Sequence, residues 1–254
     1  TGDYHATMDK LEEIADLKGF AARRKESEAK GLLRGLGTNC YIEACGIAPS
    51  NLVGQLGARA GLYESATVRV NATGGLTVMT GSHSHGQGHE TSFAQVISEM
   101  IGIDADMVEI VHGDTANSPM GMGTYGSRSI AVGGSAMVRA TEKIINKARK
   151  IAAHLMEASE GDIELKDGQF TVAGTDKSVA WGDVTLAAYV PHNYPLEEIE
   201  PGLEETAFYD PANFTYPAGA YACEVEVDPE TGRVSIERFA AADDFGNVVN
   251  PMIV

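Results

Sequence analysis

The chain has 254 residues, of which 43% are hydrophobic and 22% are charged, and its formal net charge at pH 7 is −17. This composition is typical of a folded globular protein, and a surface this acidic repels nucleic-acid phosphates and anionic lipids. No apolar run approaches the roughly 18 residues that span a bilayer. We therefore expect no nucleic-acid partner and no membrane span.

The three cysteines, Cys40, Cys45 and Cys223, cannot all pair in disulfides. An odd number favours a reducing compartment and predicts a cytoplasmic location. Cys40 and Cys45 could supply two metal ligands, but no second pair follows them, so ordinary semi-buried thiols are favoured. The chain begins at Thr1 rather than at a methionine and ends in the apolar run "NVVNPMIV". We interpret both ends as cuts within a longer protein.

The first predicted elements are helical and lie between residues 9 and 30, with a break at Gly19. Four apolar residues share one face of this region: Leu11, Ile14, Ala15 and Leu17. From Gly35 the hydrophobic period changes, and "ESATVRV" and "GLTVMTGS" form a predicted hairpin around "NATGG".

The rest of the chain alternates helices and strands. We predict a helix over 91–101, the strand "MVEIVHGD", a glycine-rich loop over 113–127 and a long helix over 129–157. Strands in "DIELKDG" and "QFTVAG" then lead to a short helix in "WGDVTLAAYV" and a polar loop over 191–217. A hairpin of "AYACEVEVD" and "RVSIERFAAADD" follows. Hairpins separated by single helices predict an α+β fold in two layers rather than a parallel βαβ wind.

The stretch "GSHSHGQGHETS", residues 81–92, allows three interpretations. His83, His85 and His89 could bind a metal such as zinc, although Glu90 is the only nearby carboxylate that could support them. The histidines could instead be solvated or hydrogen-bonded within an ordinary turn. In the third interpretation, the segment is a backbone cradle for an organic cofactor.

The cofactor cradle is suggested by the helix that follows. Five apolar residues form one stripe along this helix: Phe93, Val96, Ile97, Met100 and Ile101. Thr91 and Gln95 lie opposite the stripe, so they would meet either water or a polar ligand. Gly86 and Gly88 permit close approach of the backbone, and Gln87 can both donate and accept hydrogen bonds.

A second glycine segment, "GMGTYGSRS" at residues 121–129, has the G-x-G-x-x-G spacing of dinucleotide-binding folds. It does not directly follow a strand, and the position about 20 residues onward lies inside a helix, which disfavours that fold. Gly126, Ser127 and Ser129 nevertheless open a long helix whose free N–H groups favour an anion, and Arg128 adds positive charge. The two helix starts could hold opposite sides of one anionic ligand.

Several motifs, in order along the chain, resemble one family. "HGQGHETSFAQ" and "VHGDTANSPMGMGTYGSRS" resemble the large subunit of the molybdenum hydroxylases, the xanthine dehydrogenase and aldehyde oxidase superfamily, especially the branch of the aerobic carbon monoxide dehydrogenases. The resemblance extends to "LKGFAARR", "LRGLGTNCYIE", "YESATVRV", "NFTYPAGAYACEVEVDPETG" and "DDFGNVVNP". It favours the cofactor cradle among the three interpretations of residues 81–92.

The resemblance implies a bound molybdopterin cytosine dinucleotide that carries molybdenum. The implied cofactor-binding residues fall in the two glycine segments: Gln87, Gly88, His89, Thr91, Thr124, Tyr125, Gly126, Ser127, Arg128 and Ser129. It implies no metal ligand and no catalytic residue in this chain, because the family's general-base glutamate is expected beyond Val254 and its substrate loop before Thr1. Asp243 and Asp244 are interpreted as turn residues rather than as a catalytic pair.

The parent protein implied by the resemblance is an oxidoreductase that works with an FAD-binding medium subunit and an iron–sulfur small subunit, as a dimer of heterotrimers. Its substrate could be carbon monoxide, an aldehyde, an N-heteroaromatic compound, a purine or an acyl thioester. Residues 1–34 would end the first cofactor-binding subdomain and residues 35–254 would form most of the second, in a fragment that is inactive alone. The alternatives are a non-catalytic binding module that holds a metal through the three histidines, and a scaffold that has lost its cofactor.

Overall fold

The computed structural model describes residues 2–47 and 49–254, which divide into two compact units. Residues 1–45 and 215–248 belong to unit 1, and residues 46–214 and 249–254 belong to unit 2. Residues 34 and 35, the predicted subdomain boundary, lie within one strand of unit 1. The subdomain assignment itself concerns the parent protein and stays a prediction.

The α-helices are α1 (Tyr4–Ala15), α2 (Phe20–Ala29), α3 (Ser50–Gln55), α4 (His89–Ile101), α5 (Ser135–Met156) and α6 (Trp181–Tyr189). The strands are β1 (Leu33–Ile42), β2 (Glu64–Val70), β3 (Leu76–Thr80), β4 (Val108–His112), β5 (Ile163–Lys166), β6 (Gln169–Val172), β7 (Ser178–Ala180), β8 (Leu203–Tyr209), β9 (Ala218–Val227) and β10 (Val234–Asp244). No helix of the described residues is long and apolar enough to cross a membrane.

Unit 1 is an antiparallel sheet in the order β1-β9-β10, with α1 packed on β9 and β10 and α2 packed on β1. Leu11 and Ala15 lie one helical turn apart and are buried against Ala220 and Ala222. Ile14, which we predicted to share that face, is 43% exposed. It points away because it lies about 100° around the helix from Ala15.

Unit 2 contains a four-stranded sheet in the order β4-β3-β2-β8 and a small sheet in the order β5-β6-β7. The predicted β2–β3 hairpin is confirmed, and the predicted helix over 91–101 is α4. Strands β3 and β4 are parallel, so β3-α4-β4 is one βαβ unit in an otherwise antiparallel sheet. The mixture confirms an α+β fold, with α4 and α5 packed against the four-stranded sheet.

The core of unit 2 lies between this sheet and its helices. Phe93, Ile97 and Ile101 are at most 1% exposed, which confirms the apolar stripe of α4. Val96 and Met100, also predicted to be buried, are only half-buried at the border of this core. Burial of one large apolar side chain contributes about 1.5–3 kcal/mol, so the stripe is sufficient to fix the orientation of α4.

Three sequence predictions were wrong about regular structure. Residues 203–209, placed in a polar loop, form β8, which pairs with β2. Its segment "LEETAFY" buries only Leu203 and Ala207 and carries two glutamates, so it lacks the pattern of a strand. Residues 129–134 are π-helical rather than α-helical. Asp243 and Asp244 end β10 instead of occupying a turn.

Candidate functional site

The two glycine segments of unit 2 meet at their bases. A Cβ atom added to Gly81 would lie 2.2 Å from Cα of Gly121, and one added to Gly133 would lie 2.2 Å from Oγ of Ser82. Only glycine permits such close approach of the two backbones at Gly81 and Gly121, and of the Ser82 side chain at Gly133. The segment that follows β3 and the segment that precedes α5 therefore start from one place at the end of the sheet.

The first segment has an exposed tip and a buried end. Gly86 and Gln87 are exposed, and a Cβ atom added to Gly86 would meet nothing within 4 Å. The Gln87 side-chain oxygen accepts a hydrogen bond from the backbone N–H of His85. Helix α4 then begins after Gly88, whose φ is 76°, without a side-chain cap for its first N–H groups. Those groups and the Gln87 amide can meet a ligand.

His89 is a structural part of this helix start. It is 6% exposed, its ring stacks on Phe93 at 5.1 Å, and its Nδ1 lies 3.3 Å from the carbonyl oxygen of Ser82, to which it donates. Burial lowers the pKa of His89 because the charged ring loses its hydration. The neutral imidazole thus ties the first turn of α4 to the end of β3.

The three histidines do not assemble into a metal site. His83 and His85 pack together with their ring centroids 5.1 Å apart, whereas His89 is directed towards Ser82. Over residues 2–47 and 49–254, no group of three or more His, Cys, Asp or Glu side chains could hold a metal ion. The alternative of a metal-binding module through these histidines finds no support in this geometry.

A second histidine pair borders the same helix. His112 at the end of β4 lies with Nε2 2.7 Å from Oε1 of Glu90, and its ring contacts that of His83 at 4.9 Å. The hydrogen bond from His112 holds the pKa of Glu90 below its usual value. The carboxylate consequently stays charged in the first turn of α4.

The polar face of α4 is only partly open. Thr91 is exposed, as expected for a residue that meets a ligand or water. Gln95, one turn further, accepts a hydrogen bond of 2.8 Å from the side-chain amide of Asn250. Ile253 lies next to Gly88, where an added Cβ atom would be 3.0 Å from its Cδ1. Part of this face is thus covered by residues 250–253 rather than by a ligand.

The second segment reverses direction through two left-handed residues, Gly126 and Ser127, with φ values of 55° and 50°. Ser129 then begins the π-helical segment, which also has no side-chain cap hydrogen bond. The hydroxyls of Thr124 and Ser129 lie 2.8 Å apart, and Tyr125 is 41% exposed. The hydroxyl of the half-buried Thr124 and an uncapped helix start therefore border this side as well, whereas Ser129 is only 8% exposed.

Arg128 does not offer its charge to an anion as we expected. Its side chain is fully buried, forms an ion pair with Glu64, and donates to the carbonyl oxygens of Ile47, Leu62 and Gly123. A guanidinium that donates to these four acceptors holds the segment together instead. The prediction that Arg128 binds the cofactor therefore concerns its backbone and not its side chain.

Sequence reasoning missed the residues that support the second segment. Glu64, Ser65 and Ile47 lie far from either glycine motif in sequence, and nothing in their local pattern indicates a role. Ser65 donates to and accepts from the backbone of Met120, and the backbone N–H groups of Gly46 and Ile47 donate to the carbonyl oxygens of Ser127 and Gly126. These long-range contacts become visible only in the fold.

Comparison with known proteins places this chain in a family. The family model of the molybdopterin cofactor-binding domain matches residues 10–254. The carbon monoxide dehydrogenase large chain of Hydrogenophaga pseudoflava is 40% identical over 259 residues, an alignment that covers 100% of this chain and 32% of the relative. The chain thus spans about a third of the length of such relatives.

Solved structures agree with this relationship. A Cu,Mo-CO dehydrogenase in its carbon monoxide-reduced state superposes with a TM-score of 0.90 and 38% identity, over 100% of this chain and 32% of the other. Quinoline 2-oxidoreductase from Pseudomonas putida 86 superposes with a TM-score of 0.91 and 36% identity, over 99% and 32%. Since the family model covers nearly the whole chain and the fold agrees, the chain belongs to the family of molybdopterin cofactor-binding domains.

Proposed function

We propose that this chain is part of the large subunit of a molybdenum hydroxylase, in which it binds the cytosine dinucleotide form of the molybdenum cofactor. The observation that carries the proposal is the contact between the bases of the two glycine segments at Gly81 and Gly121, since each segment leads into a helix start without a side-chain cap. Each start presents N–H groups and small residues, which suit the phosphates and the flat heterocycle of a dinucleotide.

The residues of the chain fit such a ligand. The first segment would bind through Gln87, Gly88 and the first turn of α4, and the second through the backbone at 126–128 with the hydroxyls of Thr124 and Ser129. The exposed tip of the first segment leaves room for a ligand, since a side chain at Gly86 would meet no neighbour. When bound, the cofactor supplies a redox-active metal that takes up electrons from the substrate.

The chain itself would bind and orient the cofactor. Neutral His89 holds the first turn of α4 on Ser82, and the ionised Glu90 would disfavour additional negative charge beside it. A phosphate would therefore be directed towards the Gln87 side of the helix start rather than towards Glu90. We also propose that the two glycine segments border one cleft.

The whole enzyme would be a cytoplasmic oxidoreductase with an FAD-binding medium subunit and an iron–sulfur small subunit, assembled as a dimer of heterotrimers. The names of the relatives support the assembly, since they include large chains and large subunits. Carbon monoxide, quinoline and nicotine occur in these names, so carbon monoxide or a small N-heteroaromatic compound is the proposed substrate class.

The test uses the full-length protein that contains this chain, purified as wild type, Gln87→Ala and His83→Ala. We expect Gln87→Ala to lose at least about half of its molybdenum, because a group that hydrogen-bonds the ligand is removed. His83→Ala, a change of similar exposure in the same segment, should retain molybdenum. Elemental analysis measures the metal, and acid hydrolysis should release cytidine monophosphate from the wild type. Full molybdenum in Gln87→Ala, or a nucleotide other than cytidine monophosphate, would refute the corresponding part of the proposal.

A further inference from the structure

We propose that Glu64 is the positioning residue of the second glycine segment: its buried carboxylate fixes the backbone of residues 122–128 in the conformation that meets the cofactor. This inference rests on the proposed function, because the segment it positions is one of the two proposed binding segments. Glu64 lies at the start of β2, 58 to 64 residues before the groups that it holds.

One carboxylate oxygen of Glu64 organises the segment. Oε1 accepts hydrogen bonds from the backbone N–H groups of Met122, at 2.8 Å, and Gly123, at 3.1 Å, and it is also the atom paired with Arg128. Two consecutive N–H groups that converge on a single acceptor fix the orientation of both peptide planes. The start of the segment is therefore bound to β2 rather than free to move with the surface.

Arg128 closes the same arrangement from the other end. Its Nη1 donates to the carbonyl oxygen of Gly123 at 2.8 Å, its Nη2 to that of Leu62 at 2.7 Å, and its Nε to that of Ile47 at 3.0 Å. Its guanidinium also lies 5.3 Å from the centre of the Tyr125 ring. The backbone between Gly123 and Arg128 is consequently clamped at both ends by one ion pair.

The segment needs this clamp because it has no regular structure of its own. Residues 119–123 belong to no helix or strand, and Gly123, Gly126 and Ser127 all have positive φ values. A chain of such residues has many alternative conformations and a high entropic cost of ordering. The ion pair selects one of them.

Because the Glu64–Arg128 ion pair is buried, its stability is linked to the ordering of residues 122–128. Glu64 and Arg128 are both 0% exposed, and Oε2 of Glu64 has no hydrogen-bond partner among the described residues. Oε2 instead faces Gly81, the base of the first segment, where an added Cβ atom would lie 2.7 Å from it. A buried carboxylate with one unsatisfied oxygen is tolerated only while its partner is in place, so loosening of the pair and loosening of the segment should occur together.

The test compares Glu64→Gln with Glu224→Gln in the full-length protein. Glu224 is an exacting control, because it is also a buried glutamate, 2% exposed, and is held by two arginines, Arg23 and Arg34, in unit 1. Amide hydrogen exchange reports the order of residues 122–128, and elemental analysis reports molybdenum. Glu64→Gln should raise exchange at 122–128 by about tenfold or more, since the charged acceptor is replaced by a neutral amide oxygen that forms weaker hydrogen bonds, and should lower the molybdenum content. Glu224→Gln should change neither readout.

The outcomes separate the two proposals. If Glu64→Gln leaves exchange at 122–128 unchanged, or if it retains molybdenum like Glu224→Gln while Gln87→Ala loses it, the positioning role is refuted. If both Glu64→Gln and Gln87→Ala retain full molybdenum while exchange at 122–128 rises, Glu64 orders the segment but the proposed cofactor site is wrong. If the Glu64→Gln protein does not accumulate in the cell, Glu64→Asp provides the same comparison. This variant keeps the negative charge on a side chain that is shorter by one methylene group.

Discussion

The two glycine segments are built from similar residues but are held in different ways. The first, residues 81–88, is anchored at its ends by Ser82 and by the start of α4, and its tip at Gly86 and Gln87 is exposed. The second, residues 121–128, surrounds a buried ion pair and is hydrogen-bonded through Met122, Gly123 and Arg128 to Glu64 at the start of β2. A glycine-rich motif therefore does not by itself reveal whether a segment is mobile or rigid, because the side chains that hold it come from elsewhere.

Arg128→Met should have the largest effect, because it leaves the Glu64 carboxylate buried without a counter-charge. The expected loss in the free energy of unfolding is about 3–5 kcal/mol. Chemical denaturation measures it, with Arg69→Met as the control. Arg69 pairs with Glu204 on the surface, where both side chains are about half exposed, so its loss should cost no more than about 1 kcal/mol. Equal losses for the two variants would contradict a special role of the buried pair.

Gly126→Ala should have the next largest effect, and Gly123→Ala is its matched control. Both glycines have positive φ, which costs an alanine about 1–2 kcal/mol. A Cβ atom at Gly126 would also lie 2.5 Å from Cδ1 of Ile47, whereas one at Gly123 would meet nothing within 4 Å. Gly126→Ala should therefore lower the melting temperature further than Gly123→Ala. A larger side chain at Gly126 therefore cannot serve as a clean test of cofactor contact, because it would also displace Ile47.

The stability of the first segment should depend on pH through His89. Its pKa in the folded chain lies below the unfolded value of 6.5, so its contribution is fully present above about pH 6.5 and is lost as the pH falls through the folded pKa. The expected decrease is smaller than the two effects above. Denaturation midpoints at pH 7.5, 6.5 and 5.5 measure it, and His89→Gln should flatten this part of the profile. A wild-type denaturation midpoint that rises as the pH falls from 7.5 to 5.5 would contradict the assignment of a neutral, buried His89 ring.

Gln87→Ala should have the smallest effect on stability, within about 0.5 kcal/mol, because the side chain is exposed at the tip of the first segment. Its effect should appear instead in molybdenum content, so denaturation of the cofactor-free chain should not distinguish it from wild type. A loss above about 1 kcal/mol would show that the tip is a structural element and would remove the contrast between the two segments.

The sequence by itself determined the local elements with strong periodicity and the family. The stripe of Phe93, Ile97 and Ile101 predicted α4, and alternating residues predicted the β2–β3 hairpin, because both signals depend only on neighbouring residues. The ordered motifs "HGQGHETSFAQ" and "GMGTYGSRS" were sufficient to indicate a molybdenum-cofactor protein, which the family model bears out.

Only the tertiary structure decided how the site is held. Strand β8 forms because β2 offers it a partner, although its own two glutamates disfavour a strand. Arg128 had been interpreted as a charge for an anion, but Glu64, 64 residues away, takes that charge into the core. The side chain of Gln95 accepts a hydrogen bond from that of Asn250, 155 residues away, instead of facing a ligand. In each case the deciding partner is distant in sequence, and local patterns cannot specify which distant groups the fold will bring into contact.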